Sequence, residues 1–125
     1  MRVLLDTQIY LWFLANSPKL SKAARAMIAD ADEVFVSAAS IWEASIKAGI
    51  GKLEVVADDL VAGIAASGFS ELPVLSRHAA AVSALPPHHR DPFDRLLIAQ
   101  AVQEPMRLLT ADSLLKKYSE LVTSA

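Results

Sequence analysis

An α/β fold with a parallel sheet is what this sequence predicts, and three observations carry the prediction. Short apolar runs of strand length recur at Val3-Leu4-Leu5, Glu33-Val34-Phe35-Val36 and Arg107-Leu108-Leu109-Thr110. Near-continuous apolar runs of this kind suit strands covered on both faces rather than sheets with one wet side. Segments with helical spacing of apolar residues lie between them, punctuated by Pro, Gly and Asn. Strands alternating with helices give an α/β/α sandwich, here with about four to five short strands and helices on both faces.

Each element can be justified in turn. Val3-Leu4-Leu5 reads as a buried strand ending at Asp6, and Thr7 to Leu14 as a short helix broken by Asn16-Ser17-Pro18. Ser21 caps a second helix over Lys22 to Ala31, with Ala23, Ala24, Met27 and Ile28 on one face. Glu33 to Val36 is the second strand and Ser37 to Ala48 the third helix, stopped at Gly49-Ile50-Gly51. Ala57 to Ser67 forms a fourth helix that Gly68 ends, followed by a weak strand at Phe69-Ser70-Glu71-Leu72. Ser76 to Leu85 is a fifth helix, closed by Pro86-Pro87. Arg107 to Thr110 is a strand, Asp112 opens a helix reaching about Tyr118, and Leu121-Val122 is a last edge strand.

The most informative stretch runs from His88 to Ala101. Pro92 has the fixed φ of a first helical position, which places Asp91 at the N-cap and Asp94 in the first turn. From Leu96 to Val102 the helix is almost wholly apolar and is therefore buried on most sides. A carboxylate at the end of such a helix is costly unless a positive group meets it.

Composition bounds the function. The 125 residues are 54% hydrophobic and 21% charged, the profile of one globular domain spanning 1–125 with a proper core. The absence of cysteine excludes a disulfide framework and a thiolate metal site. No apolar run reaches membrane-spanning length, and the first acid comes too early for a signal peptide, so a cytoplasmic protein without a membrane partner is expected. Twelve basic and fourteen acidic residues give a net charge of −2. No global field attracts nucleic acid, so such binding needs a local basic patch or metal ions.

Four acids from four separated segments are then placed at one edge of the sheet. Asp6 directly follows the first strand, and Asp112 follows the strand ending at Thr110. Asp94 starts the helix that feeds that strand, and Glu43 lies on the helix after the second strand, on a face shared with Ala39, Ile46 and Ile50. In open α/β sheets ligands bind beyond the carboxyl ends of the strands. Taken singly, each acid has a structural explanation: Asp6 and Asp112 as N-caps, Asp94 as a dipole-favoured acid, Glu43 as an i,i+4 partner of Lys47. Their joint placement favours a site, because clustered carboxylates repel unless a divalent cation relieves them. Oxygen ligands suit Mg²⁺ or Mn²⁺, which would activate a water and stabilise charge on a phosphodiester. Thr7, Ser40 and Thr110 are candidates to orient the acids by hydrogen bonds.

The chain resembles the PIN-domain ribonucleases, and more narrowly the VapC-type toxins of bacterial toxin–antitoxin pairs. The carriers are Leu4-Leu5-Asp6-Thr7, Ser40-Ile41-Trp42-Glu43, the run from His89 to Ala99, and Leu109-Thr110-Ala111-Asp112. The resemblance implies a metal-dependent endoribonuclease with Asp6, Glu43, Asp94 and Asp112 as the acidic quartet that binds Mg²⁺ or Mn²⁺, and Thr110 as its supporting hydroxyl. It further implies a homodimer, an RNA substrate and a cognate VapB-like antitoxin that often places an arginine in the acidic pocket. Asp91 is an extra acid relative to the commoner pattern, and its position favours the cap over a ligand. The alternative is a catalytically inactive PIN-like module that binds RNA or protein. A haloacid-dehalogenase phosphatase would need an acid where Gln8 stands, and a receiver domain would need an acidic pair near the first strand.

Some of Arg90, Arg95, Lys47 and Lys52 are expected to contact RNA phosphates, because an acidic site repels RNA unless cations flank it, with ordinary surface salt bridges as the alternative. His88 and His89 are candidates to touch RNA or assist proton transfer, with a solvated loop after Pro86-Pro87 the commoner reading. Trp12 and Trp42 are candidates to stack on bases, with core packing at helical spacing the commoner reading. Leu11, Phe13 and Leu14, or the second helix, are candidates for a partner surface.

Overall fold

Five short strands pair in parallel in the order β3-β2-β1-β4-β5. The computed structural model describes residues 1–124. In chain order the elements are β1 (Arg2–Leu5), α1 (Thr7–Leu14), α2 (Lys22–Asp30), β2 (Glu33–Ser37), α3 (Ala38–Gly49), α4 (Ala57–Ala66), β3 (Ser70–Leu72), α5 (Ser76–Val82), α6 (Pro92–Gln103), β4 (Arg107–Thr110), a 3₁₀ helix (Ser113–Tyr118) and β5 (Val122–Ser124). The predicted α/β/α sandwich is thus observed, with β1 at the centre of the sheet.

The alternation of β1 builds the two layers. Val3 and Leu5 pack with Ile9, Tyr10, Ala24, Ile28, Leu60 and Ile64, from α1, α2 and α4. Leu4 points to the other face and packs with Leu97, Ile98, Ala101 and Leu115, under α6 and the 3₁₀ helix. Val3, Leu4 and Leu5 are fully buried, as the unbroken apolar run required, and each contributes roughly 1.5–3 kcal/mol. On the second face, His78 of α5 is also fully buried, where its Nε2 lies 2.6 Å from Glu104. Its Nδ1 accepts the Leu75 N–H at 3.0 Å, and Gln100 of α6 donates to the Pro73 carbonyl and accepts from the Ser37 hydroxyl at 2.6 Å. This network fixes α6, and with it the start of the helix that carries Asp94.

Helix ends follow the predicted chemistry in most places. Asp6, Ser21 and Asp91 cap α1, α2 and α6 through their side-chain oxygens, and Pro92 is the first residue of α6. Gly68 takes φ 78° just past α4, a left-handed conformation open to glycine at little cost. The segment after Asp112 is the expected helix to Tyr118, of 3₁₀ type. Two expectations change. Helix α5 stops at Val82 instead of Leu85. On α3 the buried stripe is Ala39, Ser40, Glu43 and Ala44, so Ile46 and Ile50 do not share the inward face of Glu43. Apolar residues on α3 outnumber the positions that face its neighbours, and Ile46 and Ile50 stay exposed.

Candidate active site

β1 lies between β2 and β4, so the chain leaves it toward one side of the sheet and returns on the other. Such a switch point leaves a crevice beyond the strand ends. Here the crevice is a cleft of about 460 Å³ lined by Asp6, Glu43, Asp91, Asp94 and Asp112 together with Thr7 and Lys47. All four predicted acids of the quartet reach it, each on a different element.

The two acids nearest the sheet are held from below by hydroxyl groups. Asp6 is buried; its Oδ1 accepts the Ile9 N–H at 2.8 Å and its Oδ2 accepts the Thr110 hydroxyl. The same Thr110 oxygen accepts the Asp112 N–H at 3.0 Å, so one side chain ties the end of β1 to the residue after β4. Glu43 is also buried, with Oε1 2.6 Å from the Thr7 hydroxyl and Oε2 2.7 Å from Lys47 Nζ. Thr7 has one proton to give and the carboxylate can only accept. The Thr7 hydroxyl therefore donates to Glu43, and the 2.9 Å contact between Thr7 and Ser40 takes the proton of Ser40. Glu43 combines both readings of the sequence: it points inward and it pairs with Lys47.

Capping and site formation are not alternatives either, because a carboxylate has two oxygens. Asp112 uses Oδ1 to accept the Leu114 N–H at 2.9 Å, while its Oδ2 faces His89 Nε2 at 3.3 Å. Asp91 spends Oδ1 on the Phe93 and Asp94 amides, at 2.8 and 3.1 Å, which is the predicted cap. Asp94 projects into the cleft, with Oδ2 3.6 Å from His89 Nε2. Burial raises the pKa of Asp94 from its ordinary 3.8 to about 7, helped by the negative charges of Asp91 and Asp6. Burial also raises that of Asp6, against the hydrogen bond from Thr110. Lys47 goes up as well, held in its charged form by Glu43. The cleft thus concentrates more negative charge than its own cations balance.

The sequence of this chain matches the PIN domain over residues 3–121. The chain belongs to the PIN-domain family. Ribonuclease VapC22 of Mycobacterium tuberculosis is 32% identical to it over 127 residues, covering 93% of this chain and 91% of that protein. A toxin–antitoxin complex from Klebsiella pneumoniae contains a chain of the same fold, with TM-score 0.68 and 17% identity over 98% of this chain and 96% of that one. A chain of the VapBC2 complex from Rickettsia felis, bound to a promoter DNA fragment, gives TM-score 0.68 at 16% identity over 100% and 98%.

In this PIN domain the cations are distributed differently from the sequence expectation. Lys47 lines the cleft and Arg90 is exposed beside it in sequence, but Arg95 turns away. Its guanidinium donates to the carbonyls of Val82, Leu85 and Pro86 at 3.2, 3.4 and 3.0 Å and to the Tyr118 hydroxyl at 3.2 Å. One residue beyond Asp94 is about 100° around the helix, which carries Arg95 out of the cleft to brace the loop between α5 and α6. Trp42 is 61% exposed instead of core, and stands edge-on to Phe93 with ring centroids 5.2 Å apart. Trp12 is half-buried against the first core layer.

His89, a loop residue by its sequence position, stands against the acids of the cleft. It is half-buried, and its ring reaches the Asp94–Asp112 pair rather than solvent. Its Nδ1 accepts the N–H of the N-cap Asp91 two residues on, a local bond that turns the ring toward the helix start where Asp94 also projects.

Proposed function

We propose that this protein is a metal-dependent endoribonuclease, the toxin of a toxin–antitoxin pair, acting in the cytoplasm as one domain spanning 1–125. The observation that carries the reading is the convergence of Asp6, Glu43, Asp94 and Asp112 on one cleft whose charge is unbalanced, with Asp94 raised to about 7. A cation fits that chemistry, because the quartet offers only hard carboxylate oxygens, which suit Mg²⁺ or Mn²⁺. The 32% identity to a ribonuclease over nearly the whole chain supports RNA as the substrate.

The quartet would hold the ion, which when bound would supply neutralising charge at a scissile phosphate, where water adds to phosphorus as the bond to the leaving ester oxygen breaks and that oxygen takes up a proton. The remaining residues position and screen. Thr110 fixes Asp6 relative to Asp112, and Thr7 with Ser40 fixes Glu43. Asp91 sets the start of α6 and adds to the negative potential. Lys47 at the cleft wall and the exposed Arg90 provide positive charge for RNA phosphates.

An antitoxin is proposed as the protein partner. An apolar groove of about 790 Å³, lined by Leu11, Trp12, Leu14, Val55, Val56 and Leu60, runs beside the cleft and shares Gln8, Leu11 and Leu53 with it. A partner segment lying there reaches the acids without leaving the surface. The exposed Trp42, Ile46 and Ile50 of α3 support a homodimer.

The test is cleavage of total cellular RNA by purified, partner-free protein. Discrete products with Mn²⁺, absent with chelator and absent for Asp94→Asn, are expected. Equal patterns from wild type and Asp94→Asn in Mn²⁺ would overturn the reading.

A further inference from the structure

His89 is held more firmly than a loop histidine needs to be. Its backbone N–H donates to the Tyr118 hydroxyl at 2.6 Å, and its carbonyl lies 3.5 Å from the Arg95 guanidinium. Its ring Nδ1 accepts the Asp91 N–H at 3.0 Å. Its Nε2 then lies 3.3 Å from Asp112 Oδ2 and 3.6 Å from Asp94 Oδ2. Contacts from α6 and the 3₁₀ helix, together with the Asp91 amide, therefore converge to place one nitrogen between two acids of the quartet.

Distance alone permits two roles. One ligand atom each from His89, Asp94 and Asp112 lie within 4.8 Å of one another, so the three could share a metal ion. The tautomer decides between them. A neutral imidazole has one N–H and one lone pair, and the Asp91 amide takes the lone pair on Nδ1. The proton is therefore on Nε2, which faces the acids as a donor. Ligation through Nε2 would move the proton to Nδ1, setting it against the Asp91 N–H and leaving that amide without its acceptor.

We propose that His89 is a positioning residue of the metal centre: its Nε2–H holds the Asp112 carboxylate, and steers that of Asp94, in the orientation that receives a divalent cation, while the imidazole stays outside the coordination sphere. This rests on the metal-dependent reading above. Donors that orient carboxylate ligands are worth about 10–100-fold in metal affinity.

The amide nitrogen of a glutamine reaches the place of Nε2, whereas an asparagine reaches only the place of Nδ1. His89→Gln therefore keeps the donor to the acids, and His89→Asn keeps only the tie to the Asp91 amide. Mn²⁺ is titrated calorimetrically into metal-free, full-length wild type, His89→Ala, His89→Asn, His89→Gln and Asp94→Asn proteins, with pulsed EPR on Mn²⁺-loaded wild type. The Ala and Asn variants are expected to bind Mn²⁺ about tenfold or more weakly, with Gln restoring most of the loss. The EPR spectrum is expected to carry no coupling to an imidazole nitrogen. Undiminished affinity in His89→Ala, or equal rescue by Asn and Gln, overturns the positioning role. Nitrogen coupling that disappears in His89→Ala makes His89 a ligand and overturns it as well. Wild type that fails to bind Mn²⁺ removes the metal reading itself and the proposal with it, an outcome distinct from a failure confined to the His89 variants.

Discussion

Replacing Asp94 with asparagine removes a charge that the metal-free fold holds at a cost. In the folded chain burial, then Asp91 and Asp6, raise Asp94 from 3.8 to about 7. Between those values the folded state keeps a proton that the unfolded state has released, so the metal-free protein loses stability as pH rises through that window. Taken in full, the difference amounts to about 4 kcal/mol. Asp94 keeps 23% of its side-chain surface in water, and screening there reduces the expected effect to about 1–2 kcal/mol. With chelator present, Asp94→Asn is expected to match wild type below about pH 4 and to be more stable at pH 8 by that amount, about 4–8 °C in Tm. Added Mn²⁺ is expected to reverse the order, because wild type gains about 2.7 kcal/mol at one hundred times the Kd and the variant does not. Thermal melts from pH 4 to 8, with chelator and with Mn²⁺, read both signs. A metal-free Asp94→Asn protein that melts below wild type at pH 8 would show that the Asp94 charge is not held at a cost.

Two further perturbations separate the groups around the site. Thr110→Val keeps the shape but removes the donor to Asp6 and the acceptor of the Asp112 N–H. A loss of about 1–3 kcal/mol is expected by denaturant melting. Because that hydrogen bond lowers the Asp6 pKa, the onset of Mn²⁺ affinity in a calorimetric pH series is expected to move to higher pH. Arg95→Lys cannot reproduce the fan of bonds to Val82, Leu85 and Pro86, so about 1–3 kcal/mol of stability is lost, read by the same melting. RNA affinity measured against salt in an Asp94→Asn background is expected to keep its slope in Arg95→Lys. Arg90→Ala, by contrast, leaves the melt unchanged and reduces that slope by about 0.7.

The fold was legible because local signals and packing agree along most of the chain. Unbroken apolar runs at Val3-Leu4-Leu5 and Leu108-Leu109 demand burial on both faces, and only a sheet with two helical layers supplies it. Caps at Asp6, Ser21 and Asp91 are local chemistry, settled within three residues of sequence. The acidic quartet was legible for a related reason, since each acid sits at a fixed offset from the end of a strand or the start of a helix. What escaped depends on which neighbour a side chain meets. Trp42 lies outside the buried stripe of α3, and periodicity does not tell how wide that stripe is. The surroundings of Arg95 and His89 are set by such neighbours: Arg95 meets loop carbonyls instead of the cleft, and the His89 ring meets Asp94 and Asp112. His89 belongs to the loop between α5 and α6 and Arg95 to the first turn of α6, and the path of that loop follows from carbonyls gathered by the Arg95 guanidinium and from a tyrosine 29 residues beyond His89. No period or propensity encodes such long-range partners.

If four carboxylates converge to hold one divalent cation, the ion is visible in crystals. Crystals of the full-length protein are soaked in Mn²⁺ and anomalous diffraction is recorded at the manganese edge. An anomalous peak is expected in the cleft bounded by Asp6, Glu43, Asp94 and Asp112, lost in crystals of Asp94→Asn. A wild-type cleft without a peak, or a peak that persists unchanged in Asp94→Asn, would contradict a cation shared by the four acids.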